Sequence, residues 1–471
     1  MARVVVVGGG LVGLSTAMLL AHDDHEVTVL ERDAQEPPAD ADAAWTGWAR
    51  RGVNQFRMLH YLLPRFRAVV SAELPEVAAA LDDAGALRLN NLALAPVELT
   101  GGLRPGDEQF EALTARRPVA EAVVARVAAA TPNVEIRRGV AVKGFVPGGS
   151  PDGVPHVAGV RTEDGHELTA DVVVDASGRR SSTPRLLTDI GARAPIEELD
   201  DCGFVYYGRY FRSADGSTPA IIAPLLSHYD SVSILTLPAD NGTWGVGLVT
   251  SARDTAMRAV RDADVWTRTV EAFPLVAHWL DGEPIDDGVA VMAKIEDRHR
   301  DFVVDGVPVA TGVLPVGDAW ACTNPSVGRG ISIGLLHAVA LRDLLRDASL
   351  DDARAVALRW HETTAATVEP WFRATLSFDR HRLAEIEAAL AGVPYETDDP
   401  SWEMTQALAH AAMQDADVFR GFLGVVGLLA LPDEVLAQPG MFDKVVSLGR
   451  GWRDAPVVGP TRDELVKLVE G

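Results

Sequence analysis

Residues 3–7 (RVVVV) run apolar without alternation, which predicts a strand buried on both faces. A helical pattern follows over residues 11–21, and residues 26–30 (EVTVL) read as a second strand. The short connections make this a βαβ unit, the mark of a parallel sheet. Further helical patterns lie at residues 61–73, 76–84 and 118–130. Between His156 and Asp175 apolar and polar residues alternate about Asp164-Gly165, which predicts a hairpin closing on a buried strand at 171–174. Residues 202–250 hold four strand-like runs, FVYYGRYF, AIIAPLL, SVSILTL and TWGVGLVT, spaced as in an antiparallel sheet. Residues 307–316 return to buried-strand character, ahead of a glycine-rich loop and a long helix from about 330 to 346. Beyond Leu350 the pattern is helical, broken by Pro400, Pro432, Pro439 and Pro456, and from about residue 380 it carries no motif.

The fold class expected is therefore α/β: a Rossmann-like domain with a parallel sheet, an antiparallel-sheet domain and a helical C-terminal region. Charge narrows the partners. Acidic residues number 67 against 43 basic ones, a net charge of −24. Such a surface repels phosphate backbones and anionic membranes, so nucleic acid is excluded as a partner. Cys202 and Cys322 are too few and too far apart for a disulfide framework or a zinc site, so no metal and a reducing cytoplasm are expected. No apolar run reaches the roughly 20 residues of a spanning helix. The opening MARVVVVGGGLVGLSTAMLL superficially mimics a signal peptide, but its three consecutive glycines and the His22-Asp23-Asp24 after it argue against one.

Gly8, Gly10 and Gly13 form GxGxxG between the first strand and the first helix. The first glycine permits a tight turn, the second lets a pyrophosphate approach the backbone, and the third lets helix pack on sheet. Glu31, with Arg32 beside it, ends the second strand at the spacing of a carboxylate that grips ribose hydroxyls, where it would repel a 2′-phosphate. The motif alone does not separate NAD from FAD.

Two distant segments do. Asp175-Ala176-Ser177-Gly178 ends one buried strand, and Gly317-Asp318 ends another, followed by Asn324-Pro325-Ser326-Val327-Gly328-Arg329-Gly330 before a helix. In these segments and the N-terminal GxGxxG the chain resembles the flavoprotein monooxygenases of the para-hydroxybenzoate hydroxylase type, most closely the branch with the polyether and squalene epoxidases. The resemblance implies an FAD-binding domain formed by residues 1–90, 115–190 and 300–346. It implies a substrate domain of residues 91–114 and 191–299, with residues 347–471 as the helical region. It also implies that Asp318 accepts ribityl hydroxyls, that Arg51 reaches the pyrophosphate, and that Arg117 and the Asp175 segment lie near the cofactor. The amides at Gly328, Arg329 and Gly330, stiffened by Pro325, would face the flavin edge that collects negative charge on reduction.

The chemistry so implied is monooxygenation. NAD(P)H, or a separate flavin reductase, reduces FAD, O2 adds at C4a, and the hydroperoxide passes one oxygen atom to the substrate. No side-chain nucleophile is needed, so no catalytic residue is assigned. Tyr206, Arg209 and Trp244 on the antiparallel sheet, with Gln55, are the pocket candidates, and Phe204, Tyr210, Phe211, Ile221, Leu225, Tyr207, His228 and Tyr229 could add to them. Strand alternation makes about half of these ordinary core. An apolar, aromatic pocket favours a lipophilic or aromatic small molecule; the arginine-rich, lysine-poor composition points to a GC-rich genome, and enzymes of the kind the chain resembles often serve secondary metabolism. Competing readings are a reductase or dehydrogenase on the same fold, a halogenase relative whose WxWxIP motif is absent, and a non-catalytic module that keeps the fold.

Overall fold

The computed structural model describes residues 1–150 and 153–471. β1 (Arg3–Val7), α1 (Leu11–His22) and β2 (Glu26–Glu31) form the βαβ unit, with β1 and β2 paired in parallel. β1 pairs on its other side with Val172–Asp175, which in turn pairs with Val313–Pro315, while β2 pairs with Val134–Arg138. These five strands are all parallel. The unbroken valines of β1 are buried on both faces. Val4 and Val6 pack against α1 and the Arg117–Ala130 and Gly330–Asp347 helices, and Val5 packs against a small antiparallel sheet that includes Phe145, Val157 and Val160.

The second sheet is antiparallel, as the pattern predicts, and is built from Phe204–Arg212, Ser233–Pro238 and Thr243–Ser251, with Leu226–His228 at one edge. One expected strand is mostly absent. Residues 220–225 of AIIAPLL form no strand, because Pro224 cannot donate to a ladder, and regular pairing resumes only at Leu226. Alternation divides the sheet's faces sharply. Phe204, Tyr206, Leu235, Leu237 and Val249 face the parallel-sheet domain, whereas Tyr207, Phe211, Trp244 and Val246 pack outward under Trp266, Trp279 and the last helix, Arg462–Glu470. Three glycines, Gly208, Gly245 and Gly247, hollow the inner face. Leu59 fills the hollow so closely that a Cβ at Gly208 would lie 2.3 Å from its methyl.

Residues beyond 350 are helical as expected. Glu369–Leu390 lies between the two sheets, and Pro400–Ala412, Ala416–Val426 and Met441–Leu448 share a core of their own with Leu92 and Phe110. Arg420 anchors that bundle, donating to Asp107 Oδ2 at 2.7 Å and to the Thr100 and Gly102 carbonyls at 2.9 Å. No described helix is long and apolar enough to cross a membrane.

A fully buried ion pair clamps the two sheets together. Arg116, just before the Arg117–Ala130 helix, meets Asp240 in the antiparallel sheet's turn with both side chains fully buried, at 2.7 Å. Its guanidinium also lies over the Trp45 ring, 5.2 Å from the centroid. Removing one partner leaves an uncompensated buried charge. Asp240→Ala should therefore lose about 3–5 kcal/mol of stability, read from the shift of the urea unfolding midpoint.

Candidate active site and cofactor cleft

The parallel strands end together, and a cavity of about 1650 Å³ opens at that edge. Gly8, Gly10, Gly13, Glu31, Arg32, Gln55, Arg117, Asp318, Pro325, Gly328, Arg329 and Gly330 all line it. Motifs separated by some three hundred residues of sequence are thus brought to one wall. Arg51, Asp175, Gly317, Tyr206, Arg209 and Trp244 lie outside the lining.

The glycine turn has the shape a dinucleotide requires. Gly8 has φ +111°, and a Cβ there would sit 2.5 Å from the Ala176 carbonyl. A Cβ at Gly13 would sit 2.1 Å from the Gly8 carbonyl, whereas nothing lies within 4 Å of one at Gly10. That open space lies before the first turn of α1, whose N-cap Gly10 supplies no side chain to the free amides.

Glu31 is buried, and its carboxylate accepts from the Gly9 and Asp33 amides and from Arg50, each at 2.8 Å. A carboxylate offers about four acceptor positions, so one remains for a ribose hydroxyl. Arg50 is a residue that sequence reasoning missed. It is buried among Glu31, Asp33 and Glu121, at 2.8, 3.2 and 3.1 Å, while its neighbour Arg51 is exposed. Burial opposes the Arg50 charge, but Glu121, Glu31 and Asp33 outweigh it and hold the guanidinium above its usual range. Two adjacent arginines give no signal in sequence as to which one turns inward.

Arg117 spans Glu121 Oε1 at 2.8 Å and His60 Nε2 at 3.1 Å. His60 Nδ1 faces the Met58 carbonyl at 3.1 Å, so that nitrogen carries the proton and Nε2 accepts from the guanidinium. Burial and then the Arg117 charge push His60 down to about 3, consistent with this neutral form. Asp318 differs from Glu31 and Asp33, which are both hydrogen-bonded. It is not hydrogen-bonded by any described residue, and burial raises it against the pull of Arg117 and Arg179. Gly317, before it, has φ +60°, and its amide donates to His337 Nδ1 at 3.1 Å. His337 was also missed. It stacks on Trp360 with centroids 4.5 Å apart, and burial pushes it down to about 3.

Asp175 caps its own loop, accepting from the Ser177 amide at 3.0 Å and from the Ser177 and Ser181 hydroxyls. Trp320 packs edge-on to His299 and His337, and Cys322 is a buried thiol pushed up to about 12 by desolvation. Behind the 325–330 loop sits a buried polar cluster. Tyr206 donates to Asn324 Oδ1 at 2.5 Å, Ser326 donates to Asp379, and Arg329 donates to Thr375 Oγ1 at 3.2 Å. Burial pushes Asp379 up to about 8 and Arg329 down to about 10. Of the pocket candidates, Tyr206 thus faces inward behind the lining. Trp244 donates to the Trp279 carbonyl at 2.8 Å and Arg209 lies over the Phe211 and Trp266 rings, both on the opposite face.

The residues present fit a flavin dinucleotide. The glycine cradle would take the pyrophosphate, Glu31 the ribose, the unpartnered Asp318 the ribityl hydroxyls, and the open backbone at Gly330 the ring. Comparison with known proteins agrees, since residues 3–343 match the FAD dependent oxidoreductases. The chain belongs to that family. This FAD-dependent oxidoreductase is 29% identical over 395 residues to Protein Rv3254 of Mycobacterium tuberculosis, an alignment covering 78% of this chain and 77% of that protein. Its fold is similar to pqsL, a probable FAD-dependent monooxygenase from Pseudomonas aeruginosa, with TM-score 0.57, 20% identity, and 82% and 99% of the two chains covered. It is also similar to OxyS, the anhydrotetracycline hydroxylase of Streptomyces rimosus, with TM-score 0.56, 18% identity, and 91% and 76% covered.

Two outcomes follow for this oxidoreductase. Asp318→Ala removes the acceptor that awaits hydroxyl donors. FAD affinity should fall about 10–100-fold, the loss of one hydrogen bond to a charged group, while the urea stability of the flavin-free protein stays level or rises. Asp379 gives a pH signature. Its folded value near 8 stands above the ordinary 3.8, so its contribution to stability is present at low pH and lost as pH rises towards 8. Asp379→Asn should flatten that decline, by up to about 1.4 kcal/mol per pH unit, in urea unfolding between pH 5 and 8.

Proposed function

We propose that this FAD-dependent oxidoreductase is a monooxygenase, of the para-hydroxybenzoate hydroxylase type and near the epoxidase branch, which transfers one oxygen atom from O2 to a lipophilic small molecule by epoxidation or hydroxylation. The observation that carries the reading is the size and lining of the cavity. Ligand pockets commonly enclose about 300–1,000 Å³, whereas this cavity encloses about 1650 Å³ and continues past the flavin loop. The continuation is largely apolar, bounded by Leu235 and Leu237 of the antiparallel sheet, by Leu225 just before its edge strand, and by Phe378, Trp402 and Phe419 of the C-terminal helices. A dinucleotide has no use for such a wall, but a water-excluding chamber for a second, apolar molecule does.

FAD, when bound, supplies the electron transfer and the oxygen activation. The chain's own part is positional. Arg50 fixes Glu31, Arg117 and His60 brace the cleft beside Asp318, and the buried Tyr206–Asn324 and Ser326–Asp379 pairs stiffen the loop under the ring. The one glycine-rich phosphate cradle among the described residues would be taken by FAD. The reducing equivalents therefore come from a nicotinamide held transiently or from a separate flavin reductase.

The test is rapid mixing of the anaerobically reduced protein with aerated buffer. A transient absorbing species that forms with O2 and decays before the oxidised spectrum returns is expected, as is one atom of ¹⁸O from ¹⁸O2 in the product of an accepted substrate. Direct reoxidation, both with and without apolar substrate candidates, would favour the reductase or dehydrogenase instead.

A further inference from the structure

His228 sits on the wall of the cavity supplied by the antiparallel sheet. It ends the edge strand Leu226–His228, where register places it opposite Ser233. Ring Nδ1 lies 2.9 Å from Ser233 Oγ, and the same oxygen lies 3.1 Å from Arg382 Nε. A guanidinium nitrogen only donates, so Ser233 accepts from Arg382, and the one acceptor that its own proton meets among the described residues is His228 Nδ1. An imidazole that accepts at Nδ1 carries its proton on Nε2. Arg382 cannot swing away to release this order. It donates as well to the Tyr229 and Val232 carbonyls at 2.6 and 2.9 Å, and to Glu385 at 2.9 Å. The ring is exposed to the cavity on its outer side, while desolvation by the groups packed around it and then the Arg382 charge hold His228 well below the usual histidine range.

Nε2–H meets no acceptor among the described residues, although the ring it belongs to faces the cavity. The wall around it is apolar. Phe378 lies 5.8 Å from the imidazole centroid, and Leu225, Leu235 and Trp402 line the same space. A neutral donor of fixed direction on a largely apolar wall matches a ligand with an uncharged acceptor. Arg382 offers a carboxylate little, because its guanidinium is already held by Glu385, Ser233 and the Tyr229 and Val232 carbonyls. We propose that His228 Nε2–H selects substrates through a carbonyl oxygen on an otherwise apolar scaffold, with Ser233 and Arg382 fixing the tautomer that donates. This rests on the reading of the cavity as the substrate site.

The experiment compares two rigid tricycles of nearly equal shape, 9-fluorenone and fluorene, by equilibrium dialysis against the flavin-loaded protein. Fluorenone should bind about 3–10-fold more tightly, the contribution of one hydrogen bond between neutral groups. His228→Phe should abolish the preference while keeping fluorene affinity, and Ser233→Ala should reduce it with the imidazole still present. In ¹⁵N-histidine spectra, the resonance lost in His228→Phe should be that of a neutral Nε2–H tautomer. Equal binding of the two compounds by the unmodified protein, binding of neither, or an Nδ1–H signal would overturn the assignment. The two readings fail separately. A flavoprotein that gives oxygen transfer with no ketone preference sinks the role of His228 alone. A protein that prefers fluorenone but never transfers oxygen leaves that role standing and sinks the monooxygenase.

Discussion

In-register parallel pairing is the constraint on which the site depends. Val7 lies opposite both Leu30 and Asp175, and Asp175 lies opposite Pro315. Parallel strands in that register must end at one edge, and the loops that follow them converge there. The GxGxxG turn, Glu31 and the Gly317-Asp318 segment are therefore neighbours by construction, and the amides of α1 point into the cleft they make. Each strand is short, and burial of valine on both faces of the sheet holds the set together.

The second sheet is fixed to this frame at a few costly points. Arg116 and Asp240 bury a charge pair between them, Leu59 seats into a hollow that only glycine leaves, and the Glu369–Leu390 helix bonds to both sides. Through Asp379 and Thr375 that helix meets the 325–330 loop, and through Arg382 it meets the antiparallel sheet. One rigid element thus sets the distance between that loop and the antiparallel wall of the cavity. A buried polar contact that loses its partner is expensive, so this spacing is held far more tightly than apolar packing alone would hold it.

The C-terminal bundle completes the chamber without any motif of its own. Trp402, Phe419 and Leu423 reach the cavity from helices whose apolar faces otherwise pack on one another. An amphipathic helix announces that it has a buried face, but not whether protein or a ligand covers it.

Much of the site was legible because its chemistry is local in sequence. Three glycines at fixed spacing between a strand and a helix admit few uses, and the Asp318 and 325–330 segments carry their geometry within a dozen residues. The split of the antiparallel sheet into two faces was likewise implied by a period of two. Which face turned inward was not, and Trp244 and Arg209 lie outward because Trp266, Trp279 and the last helix cover that side. Nor could adjacent Arg50 and Arg51 be told apart, since the choice belongs to Glu31, Asp33 and Glu121, up to 71 residues away along the chain. The sequence by itself determined the βαβ unit, its dinucleotide turn and the order of the sheets, which follow from short-range pattern, while the flavin was implied by the resemblance that three distant motifs carry together. Tertiary structure alone decided which side chains meet across the cavity, because that depends on long-range packing that local spacing does not encode.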